Sequence, residues 1–392
     1  MKIKINTIII LLSCLLFASS PYLSQTINNV VFLVVSLVLL ISMIQKQIYR
    51  ITMKECIPII VFCCITVVCT VLNHGMTSRT INAIVTGLRY VMLFMVYCQL
   101  SIETSAQKVA DTVFKILFVA TTIEDLCVLI TKGYGIVNDG TLAYYLFGNK
   151  FGVSYLHMLT LSLFLFHIFT TRGFLIKKNA FWIYLAFSIA ICMIADCNTG
   201  VIGCVVIGGM TFIAGKKDRF IKIIDSPIIY LVIFISLTFL LVGTDVILNN
   251  RFLATLLQKY SHTNKILTGR VDMYKIALYT IVQKPVWGYG INNTIVSDTL
   301  SWGNAQNGLL KMLLDYGLIG TAAFLNVCWR SIYQRVRGNV NDMVFPILTF
   351  LYSMAVCSMV EINLSGYYFA GLALVNAVQA TKYYNAKNLV GN

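Results

Sequence analysis

Apolar residues in this chain do not alternate; they come in long blocks. Runs of spanning length fall near 7–24, 27–44, 57–73, 81–99, 112–131, 151–170, 180–196, 200–215, 227–243, 307–328, 343–360 and 366–381. A hydrocarbon core about 30 Å thick is crossed by about 20 apolar residues in a helix, so each run reads as a span. The seventh and eighth are short and separated only by CNTG at 197–200. Between the ninth and tenth lies a polar stretch, 244–306, that is too long for a turn. The pattern predicts an all-α, polytopic integral membrane protein, a single domain over 1–392 with about twelve transmembrane helices. One long external loop, 244–306, precedes the tenth span. The first run follows a charged head and resembles a signal peptide, but in a chain with this many spans it reads as an uncleaved first span.

Composition agrees. The 392 residues are 58% hydrophobic and 11% charged, where a soluble domain carries about a quarter charged residues. A net charge of +15 would suit nucleic acid, but membrane proteins gather Lys and Arg in their cytoplasmic loops. With no basic soluble domain present, nucleic acid is excluded as a partner and the bilayer is expected. Alternating the loops from a cytoplasmic N-terminus puts Lys46, Arg50, Lys54, Lys216, Lys217, Arg219, Lys222, Arg330, Arg335 and Arg337 inside. The short outer loops then hold only Arg79, Lys132 and Lys150, which predicts both termini in the cytoplasm. The long loop carries six basic residues against Asp245, Asp272 and Asp298, and long loops translocate regardless of charge. Its aromatics (Tyr260, Tyr274, Tyr279, Trp287, Tyr289, Trp302) argue for order. The 12 cysteines form no CxxC pair and lie mostly in apolar runs, where they act as small hydrophobes. His74, His157, His167 and His262 have no metal-ligand spacing, so neither a metal nor a cofactor is expected.

Candidate chemistry concentrates late in the chain. In TGRVDMYKIALYTIVQKPVWGYG (268–290), Thr268 reads as an N-cap and 271–283 as a helix on or near the outer membrane surface. Pro285 ends it, and Gly288 and Gly290 permit a tight turn. Arg270 in a first turn opposes the helix dipole. Either it reaches lipid headgroups from an interfacial helix, or it shares an anion with the free N–H groups there. Next, Gln306 and Asn307 stand at the outer mouth of a span in which Lys311 and Asp315, four apart, can pair. Arg89 lies mid-run, where a charge costs about 2.5–3.5 kcal/mol, so it faces either a carboxylate such as Glu124 or Asp125, or an anion in a cavity. Asn149–Lys150 and 198–200 read as loop chemistry. There is no internal repeat and no sign of a broken helix, the marks of a transporter.

The paired segments GRVDMYKIAL…KPVWGYGINN and AQNGLLKMLLDYGLIG resemble the signature region of the O-antigen polymerase and O-antigen ligase superfamily, polytopic enzymes of bacterial surface-polysaccharide assembly. Gly269–Arg270 matches its Gly–Arg, and Pro285, Gly288 and Gly290 its P-x-x-G-x-G turn. Ala305–Gln306–Asn307 matches its Ala–His–Asn, and Asp315, Gly317, Ile319 and Gly320 its acidic ending. Arg89 resembles the arginine often found in an early span. Gln306 departs from the histidine of ligases and of many polymerases, and a glutamine cannot abstract a proton, which weakens the ligase reading more. The resemblance implies transfer of an undecaprenyl-diphosphate-linked glycan to a hydroxyl of a lipid-linked oligosaccharide at the outer face of the bacterial inner membrane. The product is capsule, exopolysaccharide or O-antigen, and a flippase and a chain-length regulator are the implied partners. The departing diphosphate needs clustered positive charge, with Arg270, Arg251 and Arg89 as candidates. The implied catalytic residues are Arg270, Gln306 and Asp272, and the implied binding residues Arg89, Arg251, Asn307, Pro285, Gly288 and Gly290. Asp272, Asp298 and His262 remain open as proton acceptor. The alternatives are a ligase to a final acceptor and, from another class, a flippase.

Overall fold

The computed structural model describes residues 5–17, 22–44, 49–138, 142–170, 174–216, 218–242, 268–300, 305–333 and 344–390, with the backbone alone at 49–51, 174–178, 218, 241–242, 268–272, 383 and 385–390. Each of the twelve apolar runs falls on a helix. In chain order these are α1 (Ile5–Leu15), α2 (Gln25–Ile44), α3 (Tyr49–His74), α4 (Ser78–Glu103), α5 (Ala106–Ile130), α6 (Lys150–Thr170), α7 (Phe174–Ile194) and α8 (Asn198–Ala214). The short α9 (Asp218–Ile224) leads into α10 (Pro227–Val242). Then follow α11 (Thr268–Gln283), α12 (Ile295–Leu300), α13 (Gly308–Ile332), α14 (Phe345–Cys357) and α15 (Gly366–Val390). Gln25–Ile44, Thr52–His74, Ser78–Glu103, Lys150–Thr170 and Gly308–Ile332 are long and apolar enough to cross a membrane, and several shorter apolar helices accompany them. The protein is a polytopic, mostly helical membrane protein. The short pair at 180–196 and 200–215 forms two separate helices, parted at Asp196 with φ +53°.

Burial is arranged as lipid requires. Helices α14 and α15 are buried along most of their length, from Tyr352 and Phe350 to Tyr368 and Leu372, and form the centre. Peripheral α2 exposes Val30, Val34, Val38 and Ile41, apolar side chains that face hydrocarbon rather than water. Helix ends sort into two groups. At one end Asn73 reaches Gly288, Lys150 reaches Asp196, and Tyr22 reaches Tyr144. At the other, Gln107 meets Thr170, Tyr352 meets Ile224 and Gln379 meets Ile332.

Two features correct the expectation. The chain is not wholly α: β1 (Val137–Asn138), β2 (Ala143–Tyr145) and β3 (Gly148–Asn149) form a small antiparallel sheet in order β1-β2-β3. The segment reads as loop in sequence because its strands are too short to alternate. The Tyr145 hydroxyl donates to the Gly133 carbonyl at 2.6 Å. Burial, reinforced by Cys127, Glu124, Asp196 and Cys197, pushes its phenol up to about 12. Second, a broken helix is present. Gly317 interrupts α13 with φ 62° and ψ −163°, a region that is essentially glycine-only.

Candidate functional site

The break in α13 is filled by the turn after α11. Leu314 and Asp315 have carbonyls that the kink frees, and these accept from the N–H groups of Tyr289 (2.9 Å) and Gly290 (2.7 Å). Beyond the kink, the N–H of Leu318 donates to the Pro285 carbonyl at 2.7 Å and that of Ile319 to Val286 at 3.3 Å. Each segment satisfies the backbone groups the other leaves open, as hydrocarbon demands. The approach requires glycine on both sides. A Cβ on Gly317 would lie 2.3 Å from the Val286 oxygen, and one on Gly288 would lie 2.6 Å from the Gly317 nitrogen. Helix α3 supplies the third side: Asn73 donates to the Gly288 carbonyl (3.0 Å) and accepts from Lys284 (3.0 Å), while the Thr70 hydroxyl accepts from the Ile291 N–H (3.2 Å). Pro285, Gly288 and Gly290 therefore hold this turn in place.

At the entry to α13, Asn307 is fully buried and caps the helix. Its Oδ1 accepts from the Leu310 N–H (3.0 Å), and its Nδ2 donates to the Met359 carbonyl (3.2 Å). Both polar ends of Asn307 are thus engaged within the protein. Gln306, just before it, is partly exposed and holds φ +37°. The Tyr274 hydroxyl of α11 ties this corner by donating to the carbonyls of Met359 (3.0 Å) and Gln306 (3.4 Å). Helix α11 begins at Thr268, one residue earlier than a capping role there would give, with Arg270 in its first turn and Asp272 just after it. The side chains of Arg270 and Asp272, and the whole of Arg251, His262 and Trp302, lie outside the described residues. Asp298 is exposed and accepts from Thr294 at 2.7 Å.

Two adjoining cavities open beside this corner. The first, about 430 Å3, is lined by Arg89, Thr86 and Tyr90 of α4, Tyr144, Phe147 and Asn149 of the sheet segment, Tyr155 of α6, and Ser365 and Tyr367 at the head of α15. The second, about 190 Å3, shares Thr86, Tyr90 and Ser365 with it and reaches Asn292, Lys311 and Asp315. Lys311 and Asp315 pair at 2.5 Å as their spacing predicts, and Asn293 also donates to Asp315. Asp315 is the one carboxylate among the described residues lining either cavity.

The open question about Arg89 resolves against an ion pair. Glu124 accepts instead from the Phe147 N–H (3.1 and 3.2 Å), anchoring the sheet segment, and Asp125 pairs with His157 at 2.7 Å. Arg89 donates through Nε to the Leu16 carbonyl (2.7 Å), just past the end of α1, and lies over the Phe32 ring at 3.7 Å. Among the described residues no carboxylate pairs with it. Arg89 also lines the larger cavity, an arrangement that fits an anion.

Sequence reasoning missed Thr70, Asn73, Glu124 as an anchor, and Tyr367. Each is an ordinary residue of an apolar run until the fold sets it beside a distant loop. Among the described residues no three His, Cys, Asp or Glu side chains converge as metal ligands.

Residues 183–325 match a family model described as O-antigen ligase. The match covers the α11 turn and the break in α13, and it is consistent with the O-antigen polymerase and ligase superfamily. It supports a glycan-transfer function of the polymerase or ligase type. No curated protein matches the chain.

Proposed function

We propose that this protein is a polysaccharide polymerase of the cytoplasmic membrane. It transfers a growing undecaprenyl-diphosphate-linked glycan onto a lipid-linked oligosaccharide repeat unit at the outer face, which is the end carrying the sheet. The observation that carries this reading is Arg89: a half-buried guanidinium without a carboxylate partner among the described residues, lining a polar cavity that joins the corner of the matched motif. Such a group holds diphosphate oxygens in two-pronged geometry and strengthens its hold as charge develops.

In the reaction the anomeric carbon–oxygen bond to the diphosphate breaks and its electron pair leaves with the phosphate oxygen. A hydroxyl of the acceptor sugar forms the new bond and gives up its proton. Arg89 stabilises the leaving group, and Arg270, at the head of α11, adds a second cation. Asp315, in the adjoining cavity, receives the acceptor's proton and is oriented by Lys311 and Asn293. Gln306 orients the sugar at the entrance. The repeat units would come from a flippase, and chain length would be set by a regulator.

The family description favours a second reading, transfer to a final acceptor. Gln306, standing where the resemblance places a ligase histidine, favours the polymerase. A flippase fits less well, because the break in α13 is closed by the 285–290 turn rather than left lining a path.

The test is polymer formation from purified lipid-linked repeats by protein in lipid nanodiscs. Arg89→Ala should lower kcat/KM about 100-fold, the worth of two charge-assisted hydrogen bonds at about 1.5 kcal/mol each. Arg89→Lys, which keeps charge without the fork, should fall between. Wild-type polymer from Arg89→Ala would overturn the reading.

A further inference from the structure

Beside the Arg89 cavity lies another of about 430 Å3, almost wholly apolar, between α1 and α5. Leu11 and Leu15 form one wall, and Val119 and Ile123 the other. All four are exposed at its rim, so it opens sideways to lipid. It follows α5 from Ile123 down to Lys115, just over two helical turns. Phe17, Phe147 and Tyr367 line both cavities, so groove and cation site are continuous. At the junction stands Tyr367, 6% exposed, with a buried hydroxyl that has no hydrogen-bond partner. An unpartnered hydroxyl in hydrocarbon costs free energy that a ligand oxygen would restore.

We infer that this groove seats the first isoprene units of a lipid diphosphate whose anionic head lies against Arg89 and Tyr367. The inference rests on the proposed function and names where its substrate's lipid sits. Charge and depth choose the occupant. Arg89 lies three helical turns into α4 from Ser78, about 16 Å along the axis. A bilayer phospholipid keeps its phosphate at headgroup level and brings two chains. A single chain with a mobile diphosphate can lie along one narrow groove and carry its charge inward. The early end of α1 at Leu15 makes room for that passage, and the Leu16 carbonyl beyond it holds Arg89 by its Nε at the junction of the two cavities.

The test uses the full chain in phosphatidylglycerol nanodiscs and an isoprenoid diphosphate carrying a diazirine on its first units. Label should map to α1 and α5 residues of the groove, displaced by unlabelled isoprenoid diphosphate and not by added phosphatidylglycerol. Ala120→Trp, which fills the groove, should raise the donor KM about tenfold, the equivalent of about two buried methylenes, with kcat unchanged. Leu126→Trp, exposed on α5 outside the groove, should leave KM alone. Displacement by phosphatidylglycerol, or a normal KM in folded Ala120→Trp, overturns the groove assignment. If Ala120→Trp fails to fold, the label on the wild-type protein decides. Label elsewhere on a protein that still polymerises sinks the groove and spares the function. Absence of any isoprenoid diphosphate binding sinks both.

Discussion

Gln306 holds a backbone conformation that a residue with a Cβ adopts at a cost of about 1–2 kcal/mol. A glycine would remove that backbone cost. Gln306→Gly should raise stability by about 1 kcal/mol while sharply reducing polymer. Gln306→Ala should lose polymer with stability little changed, and Gln306→His should keep some activity. Thermal melting beside a polymer assay separates these, and full polymer from Gln306→Gly would make the position ordinary loop. Arg270 calls for the same pairing of measurements. If it clamps the diphosphate, Arg270→Lys is impaired and Arg270→Ala nearly inactive, both melting as wild type. If Arg270→Ala merely unfolds, Arg270 is structural. Legibility differed among residues for physical reasons. A charge in an apolar run announces itself, so Arg89 stood out, but whether it met a carboxylate depended on where the 143–149 segment would sit. Glu124 was visible as a carboxylate and Asn73 as a polar residue near a helix end. Their partners, Phe147 and Gly288, lie 23 and 215 residues away, and no local pattern encodes such pairings.

Among elements, the turn at 285–290 and the kink at Gly317 define each other. Sequence showed two glycine-bearing motifs in order, and each alone reads as a turn. That one fills the break in the other was hidden, because the apolar run at 307–328 continues through the kink without a proline or a polar cluster. The consequence is testable at single glycines. Gly317→Ala places a Cβ 2.3 Å from a backbone oxygen and strains a positive φ. It should destabilise by roughly 3 kcal/mol or more from backbone strain and the displaced turn together. Gly209→Ala in α8 meets nothing within 4 Å. It should be neutral or stabilising by up to about 1 kcal/mol, since alanine favours helix. Equal melting of the two variants would show that the interlock does not hold the fold. Loss of polymer in a Gly317→Ala protein that still folds would show that the turn positions the chemistry.

For the whole molecule, the proposed activity depends on which end faces outward. Every described contact of the candidate site lies at one end: α3 near Asn73, the 143–149 segment, the 285–307 corner and the head of α15. The opposite end carries Lys54, Lys108, Lys216, Arg219 and Arg330. Lipid-linked repeats are proposed to meet the enzyme outside, and cytoplasmic loops concentrate Lys and Arg, so charge and chemistry demand the same orientation by independent routes. The apolar runs located the helices, because hydrocarbon thickness fixes helix length. They could not show that α13 is two half-helices, since a break satisfied by another backbone leaves composition untouched. Reporter fusions decide the orientation. Those at Lys217 and Arg335 should read cytoplasmic, and one at His262 should read external. A cytoplasmic signal at His262 would put the 285–307 corner and the Arg89 cavity on the wrong side of the membrane for lipid-linked repeats. The polymerase reading would then fall whatever the behaviour of Arg89, since no cation can act on a substrate it never meets.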